Sequence, residues 1–359
     1  MNFKIFPMSL RIQYLCAPVH TPMKFHIILL STLLSPFLFT TCNQVSPGSV
    51  KNTADSVQPS ADGKAINNKI LDTVTYNKIV KNLSNGDTTG LWPAKAPYPL
   101  PGAFLPFKRI VAFYGNLYSK KMGILGELPK DSMLKQLKRE VKKWEDADST
   151  MPVVPALHYI TVTAQANGGK QRMRLPFKKI DTIIQWAREI HGLVFIDIQV
   201  GSSTVQEEIP ELEKYLMMDS VHLGIDPEFS MKNNERPGSV IGTFNSDDIN
   251  FAIDYLANLV RKNNLPPKIL IVHRFTQGMV TGYDKIKKIP EVQVVMDMDG
   301  WGDKPLKLST YKRYIYKEPV MFTGFKLFYK NDIKKNPDGF LRTDEILKLI
   351  PKPIYIQYQ

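Results

Sequence analysis

Acidic and amide side chains stand two residues apart at three places in the chain. The pairs are Asp197 and Gln199, Asp226 and Glu228, and Asp297 and Asp299. Each pair ends a short apolar run, and residues two apart in a β-strand point to the same face. Crowded carboxyl groups raise one another's pKa, so one of them can stay protonated near neutral pH. Glycoside hydrolysis uses such a group, because a carboxylic acid protonates the leaving oxygen while a second carboxylate assists.

The three pairs belong to a series of eight apolar runs that are rich in β-branched and aromatic residues. The runs are Arg109–Gly115, His158–Ala164, Leu193–Val200, Val221–Asp226, Lys268–Arg274, Val292–Asp297, Val320–Phe328 and Pro353–Tyr358. Segments with helical spacing lie between them. Eight alternations of strand and helix over residues 108–359 match the count and the length of a β/α barrel. We therefore predict an α/β fold with a single (β/α)8 TIM barrel.

The main alternative is an open, doubly wound parallel sheet. Such a sheet normally carries a glycine-rich turn after its first strand, and the run Tyr114-Gly115-Asn116-Leu117-Tyr118 has no such pattern. Strand-to-helix connections are long after the first, second and fourth strands, whereas several returns are short. Because barrel active sites lie among the strand-to-helix loops, the acidic pairs are predicted to meet at that end of the barrel.

Apolar stripes predict the helices and their ends. The stripes are Met133 to Trp144, Ile180 to Ile190, Val205 to Leu216 and Ile249 to Val260, with one further helix within 67–84. Gly192 is predicted to end the second stripe as a C-cap. Ser203 with Gln206 is a candidate capping box for the third, and Ser246 is a candidate N-cap for the fourth.

The segment Asp226-Pro227-Glu228 resembles the closing Asp-x-Glu of chitinase-type barrel glycoside hydrolases. The resemblance implies that Glu228 is the general acid and that Asp226 is its partner. The longer acidic run of that family is absent, because Val221 and Gly224 stand where two more aspartates would be. Pro227 also replaces the usual aromatic or aliphatic residue.

Site roles follow from these placements. Glu228, Asp226 and Asp197 are the predicted catalytic residues. Aromatic rings stack on sugar faces, and other polar groups at strand ends bind hydroxyl or acidic groups. The predicted substrate-binding residues are Gln199, His273, Asp297, Asp299, Trp301, Lys326, Gln357, Tyr358 and Tyr114. The predicted substrate is a polysaccharide or an envelope glycan, and no cofactor is expected.

Metal-assisted hydrolysis, of the phosphodiesterase or deacetylase type, is the alternative chemistry. Its candidate ligands are Asp226, Glu228, Asp297 and Asp299, and these oxygen donors suit Mg²⁺ or Ca²⁺. Zinc is not expected, because zinc sites usually contain several histidine or cysteine ligands and His273 is the one histidine at a predicted strand end on this face.

Two further interpretations involve no catalysed reaction. The barrel would bind a glycan without turning it over. Alternatively, Asp197, Asp226 and Asp297 would form buried salt bridges with Lys326 and Arg274 that only hold the strands together. A serine nucleophile is not expected, since no Gly-x-Ser-x-Gly is present.

The N-terminal region predicts export and anchoring. Ile27–Phe39 is apolar, follows a basic lead and is too short to span a bilayer, which is typical of a secretory signal at 1–41 with Met23 as a possible start. Phe39-Thr40-Thr41-Cys42 resembles the lipobox of bacterial lipoproteins, although Phe39 and Thr41 depart from its commonest pattern. Cys42 would carry the lipid, followed by a linker at 42–66 and an N-terminal helix with a Pro-rich approach at 67–107.

The net charge of +13 would suit an anionic surface or polymer. No nucleic-acid-binding motif accompanies it, so nucleic acid is not an expected partner. The expected partners are a carbohydrate or another envelope polymer, and a membrane reached through the lipid. The protein is expected to be a monomer.

Overall fold

The computed structural model describes residues 71–334 and 339–359, and eight parallel strands form its centre. They are β1 (Arg109–Gly115), β2 (Val153–Ala164), β3 (Leu193–Ile198), β4 (Val221–Ile225), β5 (Lys268–Arg274), β6 (Val292–Met298), β7 (Phe322–Leu327) and β8 (Tyr355–Tyr358). Each strand pairs with the next in parallel, and β1 pairs with both β2 and β8. The ring is closed, so the predicted barrel is confirmed and the open sheet is wrong.

Helices surround the barrel where the apolar stripes predict them. The longer ones are α1 (Thr73–Leu83), α2 (Lys130–Ala147), α3 (Lys178–Arg188), α4 (Ser246–Asn263) and α5 (Lys304–Thr310), which continues as a π-helix over Tyr311–Tyr316. Short helical turns cover Ile124–Glu127, Val205–Glu208, Pro210–Leu212, Glu213–Leu216 and Thr343–Ile346. Short strands at Arg172–Arg174, Phe244–Asn245 and Val280–Thr281 lie outside the ring. Met133, Leu137 and Trp144 of α2 are fully buried, as expected for a helix that packs on a barrel.

The helix ends differ from the predicted caps by one residue. Thr204, not Ser203, caps the third connection, and Asn245, not Ser246, forms the capping box of α4 with Asp248. Ser246 lies one position inside α4, past the N-cap, whereas Ser203 lies one position before the cap and donates to the carboxylates of Glu207 and Glu208 instead. Beyond α3 the left-handed residue is His191 rather than Gly192.

The N-terminal mouth of the barrel is closed by the Pro-rich segment that precedes β1. Leu105 exchanges backbone hydrogen bonds with the side chain of Gln293 on β6, at 3.2 and 2.6 Å. The ring of Phe104 packs edge-on against His222 on β4. With this end filled, a ligand reaches the barrel interior from the C-terminal ends of the strands.

The region before the barrel is described only from residue 71. Helix α1 lies within the predicted 67–84, and the carbonyl of Leu83 accepts a hydrogen bond from Lys352 before β8. The predicted signal, Cys42 and the linker lie outside the described residues. Among residues 71–334 and 339–359, no helix is long and apolar enough to cross a membrane.

Candidate active site

Three aspartates, one from β3 and two from the end of β6, surround the imidazole of His273. Nδ1 lies 3.2 Å from Oδ2 of Asp297 and 3.2 Å from Oδ2 of Asp299, and Nε2 lies 3.5 Å from Oδ2 of Asp197. His273, Asp197 and Asp297 are fully buried. The strand ends that the sequence predicted to converge do converge, and a side chain of the fifth strand occupies their centre.

The electrostatics of this group follow from its burial. Burial alone would lower the pKa of His273, but Asp197 and then Asp299 outweigh it and raise the pKa well above its usual value. Burial pushes the pKa of Asp197 upward, and the charge of His273 together with hydrogen bonding from His158 reverses this to well below the ordinary range. Asp197 and His273 therefore form an internal ion pair.

Lys326 on β7 supplies a second positive charge. Its Nζ lies 2.9 Å from Oδ1 of Asp299 and 3.8 Å from the centre of the Tyr114 ring. The Tyr114 hydroxyl in turn donates a 2.8 Å hydrogen bond to Oδ2 of Asp197. The salt-bridge interpretation is therefore wrong for Asp197, Asp226 and Asp297, because in the described residues Lys326 pairs with Asp299 and Arg274 pairs with Glu318.

Asp226 and Glu228 form a carboxyl pair at the end of β4, and neither makes a salt bridge to a described residue. Oδ1 of Asp226 accepts a 3.1 Å hydrogen bond from the backbone N–H of Glu228, and Oδ2 accepts one of 3.2 Å from Nε2 of Gln199. Asp226 is only 2% exposed, whereas Glu228 stands partly exposed on the turn Pro227–Phe229.

Both groups of this pair hold their protons unusually tightly. Burial, followed by the charges of Asp226 and Asp299, raises the pKa of Glu228 to about 8. Burial also raises the pKa of Asp226 to about 7, where the charges of Asp197 and Asp299 add to it and that of His273 opposes it. At neutral pH the pair therefore contains at least one carboxylic acid.

His158 and Tyr355 belong to the site, and sequence reasoning missed both. Nε2 of His158 lies 3.6 Å from Oδ2 of Asp197, and Nδ1 lies 2.6 Å from the hydroxyl of Tyr355. Burial lowers the pKa of His158 to about 4, so this imidazole is neutral. The available signal was two-residue alternation, which places His158 on the inward face of β2 beside the inward Tyr114 of β1.

Gly224 explains one departure from the chitinase-type pattern. A Cβ atom at this position would lie 2.5 Å from Nε2 of His158 and 2.7 Å from Oδ1 of Asp197. The position where the family pattern has an aspartate is therefore filled by side chains from β2 and β3. The carboxylate of Asp197 takes the space that an acid on β4 would need.

Several predicted substrate-binding residues do not face a substrate. Tyr358 points outward, where its hydroxyl accepts a 3.0 Å hydrogen bond from Nε1 of Trp144, and its ring stacks on Tyr329. Gln357 points inward but binds His158 and Tyr355 and is fully buried. This correction follows from alternation, because neighbouring residues of a strand point to opposite faces.

The other predicted site residues differ in how much of their side chain is exposed. His273, Asp297 and the predicted catalytic residue Asp197 expose no surface, so direct contact with a substrate does not agree with their burial. Tyr114, Gln199, Asp299 and Lys326 are also buried, at 2–7% exposure. Trp301 is 41% exposed in the loop after β6. The groups that a large ligand meets first are Glu228, Phe229 and Trp301.

The arrangement offers two kinds of chemistry. Asp226 and Glu228 provide an acid and a carboxylate for proton transfer. His158, Asp197 and His273 bring three potential metal-ligand atoms within 4.8 Å of one another. The four oxygen donors predicted as metal ligands do not form one group. Asp297 and Asp299 both face Nδ1 of His273, whereas Asp226 and Glu228 form the separate pair at the end of β4.

Comparisons with known proteins do not assign the chain to a family. No protein-family model matches the sequence, and no curated protein matches it either. Among solved structures, a GH5 family lichenase from Caldicellulosiruptor sp. F32 aligns at 10% identity and a TM-score of 0.33, over 62% of this chain and 74% of that one. A GH5-4 broad specificity endoglucanase from Clostridium longisporum aligns at 10% identity and 0.35, over 62% and 75%.

A chitinase from Chromobacterium violaceum aligns at 10% identity and a TM-score of 0.30, over 61% of this chain and 68% of that one. Likenesses of this size carry no weight for the fold or the function. The assignment of the barrel fold depends on the observed strand pairing, and a function has to be inferred from the geometry of the site.

Proposed function

We propose that the barrel hydrolyses glycosidic bonds, with Glu228 as the general acid. The observation that carries this proposal is the environment of one carboxyl group. Glu228 is partly exposed at the open end of the barrel and forms no salt bridge with any residue of 71–334 or 339–359, and its pKa is raised to about 8. A group of this kind is protonated at neutral pH and can reach a substrate, as a general acid must.

Asp226 is the second carboxyl group of the proposed mechanism. Between about pH 7 and 8 the pair holds one proton, which leaves one acid and one carboxylate. Glycosidases use this combination, since the acid serves the leaving oxygen and the carboxylate stabilises or attacks the sugar cation or activates water. The hydrogen bonds from Gln199 and from the Glu228 backbone hold Asp226 in position.

The proposed substrate is a polysaccharide or an envelope glycan. Phe229 and Trp301 expose aromatic rings beside the ends of β4 and β6, and flat rings pack against the apolar faces of sugars. The buried ion pairs Asp197–His273 and Asp299–Lys326 lie deeper in the barrel and fix the charge around Asp226 and Glu228. These four are positioning residues.

A hydrolysis screen on purified glycans tests this function. We expect the wild type to release reducing ends from at least one glycan, and Glu228→Gln to lose about 10²–10⁴-fold in rate. Glu235→Gln is the matched control, because this glutamate lies in the same loop and its carboxylate accepts hydrogen bonds from Asn233, away from the acid pair. Equal glycan binding by wild type and Glu228→Gln without turnover in either would instead identify a binding protein.

We also propose that the barrel is anchored as a cell-envelope lipoprotein through Cys42. The sequence before it has the features of a secretory signal, and the positive net charge suits an anionic membrane surface. Incorporation of labelled palmitate and partition into detergent are expected for the wild type and for Cys16→Ser. Cys42→Ser should lose both, and unchanged labelling of that variant would reject the anchor.

A further inference from the structure

Three ligand atoms converge in the barrel interior. Oδ2 of Asp197 lies 3.6 Å from Nε2 of His158 and 3.5 Å from Nε2 of His273. Zinc binds nitrogen and oxygen at about 2.0–2.2 Å, so the ligands of a tetrahedral site lie roughly 3.4 Å apart. The two measured distances are close to this spacing, and all three atoms lie within 4.8 Å of one another.

The other nitrogen of each ring faces a second layer of residues. Nδ1 of His158 lies 2.6 Å from the hydroxyl of Tyr355 and 3.0 Å from Nε2 of Gln357, and Nδ1 of His273 lies at an ion-pair distance of 3.2 Å from carboxylate oxygens of Asp297 and Asp299. Metal-binding histidines typically donate this second ring proton to such a partner, which leaves the lone pair of Nε2 free for the metal.

Within the described part of the chain, neither Nε2 atom makes a hydrogen bond of good geometry: each faces Oδ2 of Asp197 at ion-pair distance, 3.5 and 3.6 Å, although both residues are fully buried. In the metal-free protein His273 carries the proton of its ion pair with Asp197, and a bound cation would replace that proton. Buried polar atoms of native proteins are nearly always satisfied. A cation between them and Asp197 would satisfy both at once. Gly224 keeps this space open, since its Cβ would stand 2.5 Å from Nε2 of His158.

The charge of the surroundings also favours a cation. Five carboxyl groups, those of Asp197, Asp226, Glu228, Asp297 and Asp299, lie in or beside this cluster. In the described residues, the permanently charged group that pairs with one of these carboxyl groups is Lys326, which binds Asp299. The remaining negative charge must be neutralised by protons or by a metal ion.

We propose that His158 Nε2, Asp197 Oδ2 and His273 Nε2 bind one divalent transition-metal ion, and that zinc is the preferred ion. Imidazole nitrogen together with one carboxylate oxygen suits zinc better than magnesium or calcium. Three protein ligands leave one coordination position open, as in catalytic zinc sites. The proposal differs from the expectation from sequence that zinc is absent, and it does not depend on the proposed glycosidase activity.

Metal content of the purified full-length protein tests the site directly. After removal of metal and dialysis against zinc, we expect about one zinc per chain in the wild type, and X-ray absorption at the zinc edge should show two imidazole ligands. Zinc should also raise Tm, because a ligand that binds the folded state stabilises it. Less than a tenth of an equivalent in folded wild type would overturn the proposal.

Variants separate this site from the acid pair. His158→Gln and Asp197→Asn should each weaken zinc binding at least tenfold. His222→Gln is the matched control, because this buried histidine uses Nδ1 to accept a hydrogen bond from Ile269 and lies below the site. Glu228→Gln should keep its zinc while losing glycan hydrolysis, so either proposal can fail without the other. Undiminished zinc affinity in both His158→Gln and Asp197→Asn would also contradict the assignment.

Discussion

The backbone N–H of Glu228 donates a 3.1 Å hydrogen bond to Oδ1 of Asp226, which holds the two carboxyl groups as a pair at the end of β4. Asp226 lies in the barrel interior, and Glu228 stands above it where solvent reaches the barrel. After burial, the negative charge of Asp226 is the largest contribution that raises the pKa of Glu228. This coupling has consequences for activity and for stability.

The rate should depend on pH through the protonated form of Glu228. We expect kcat/KM to fall as the pH rises through about 8, where the acid loses its proton. In Asp226→Asn one neighbouring charge is gone, so the pKa of Glu228 falls and the alkaline limb should move to lower pH. Profiles of kcat/KM for the two proteins check this, and a limb that stays in place would show that Asp226 does not set the pKa.

The same pair should cost stability at alkaline pH. The pKa of Glu228 is higher in the folded chain than its ordinary 4.5, so the folded state binds more protons and stability falls as pH rises toward about 8. Glu228→Gln removes this loss. Because the carboxyl is partly hydrated, we expect a gain of about 1–3 kcal/mol at pH 9, less than the full value of about 1.4 kcal/mol per pKa unit.

Urea unfolding at pH 5 and pH 9 measures this difference. The wild type and Glu228→Gln should be nearly equal at pH 5 and should separate at pH 9. Glu235→Gln, whose parent carboxyl is hydrogen-bonded to Asn233 in the same loop, should follow the wild type. A Glu228→Gln variant that is less stable than the wild type at pH 9 would contradict the proposed burial cost.

Gly224 should tolerate no side chain. The Cβ of Gly224→Ala would lie 2.7 Å from Oδ1 of Asp197 and closer still to His158, so the interior must shift. We expect a loss of about 1–3 kcal/mol in unfolding free energy and a large loss of activity. Gly278→Ala is the control, since nothing lies within 4 Å of its Cβ position. Equal stability of the two variants would show that the interior around Gly224 is not close-packed.

Tyr358 should matter for stability and not for activity. Tyr358→Phe removes the acceptor of the Trp144 Nε1 hydrogen bond and leaves a buried donor unpaired. We expect a loss of about 1–3 kcal/mol with unchanged kcat/KM, measured by urea unfolding and by steady-state kinetics. A selective loss of activity would return Tyr358 to the substrate-binding residues.

The sequence predicted the barrel because each strand carries its own signal. Runs such as Arg109–Gly115 and Lys268–Arg274 agree with the observed strands at both ends, since apolar β-branched residues are buried on both faces of a parallel strand. The convergence of Asp197, Asp226 and Asp297 was also predictable. In a closed barrel the C-terminal ends of all strands meet at one rim, so acids at those ends must approach one another.

The interior arrangement was not predictable to the same depth. His158 stands in a strand of mostly apolar residues, and its role becomes visible only when Asp197 and His273 are placed beside it from other strands. Which aspartate pairs with Lys326 depends on side-chain reach rather than on spacing. The outward direction of Tyr358 was available from alternation with Gln357, and that signal was overlooked.

The most direct test of the central claim is the leaving-group dependence of the Glu228→Gln variant. A general acid matters for a poor leaving group, such as a sugar hydroxyl, and matters little for an acidic phenol that departs without a proton. We predict that Glu228→Gln loses about 10²–10⁴-fold in kcat/KM on the natural glycan and retains nearly full activity on a dinitrophenyl glycoside of the same sugar. Equal losses on both substrates would contradict the assignment of Glu228 as the acid.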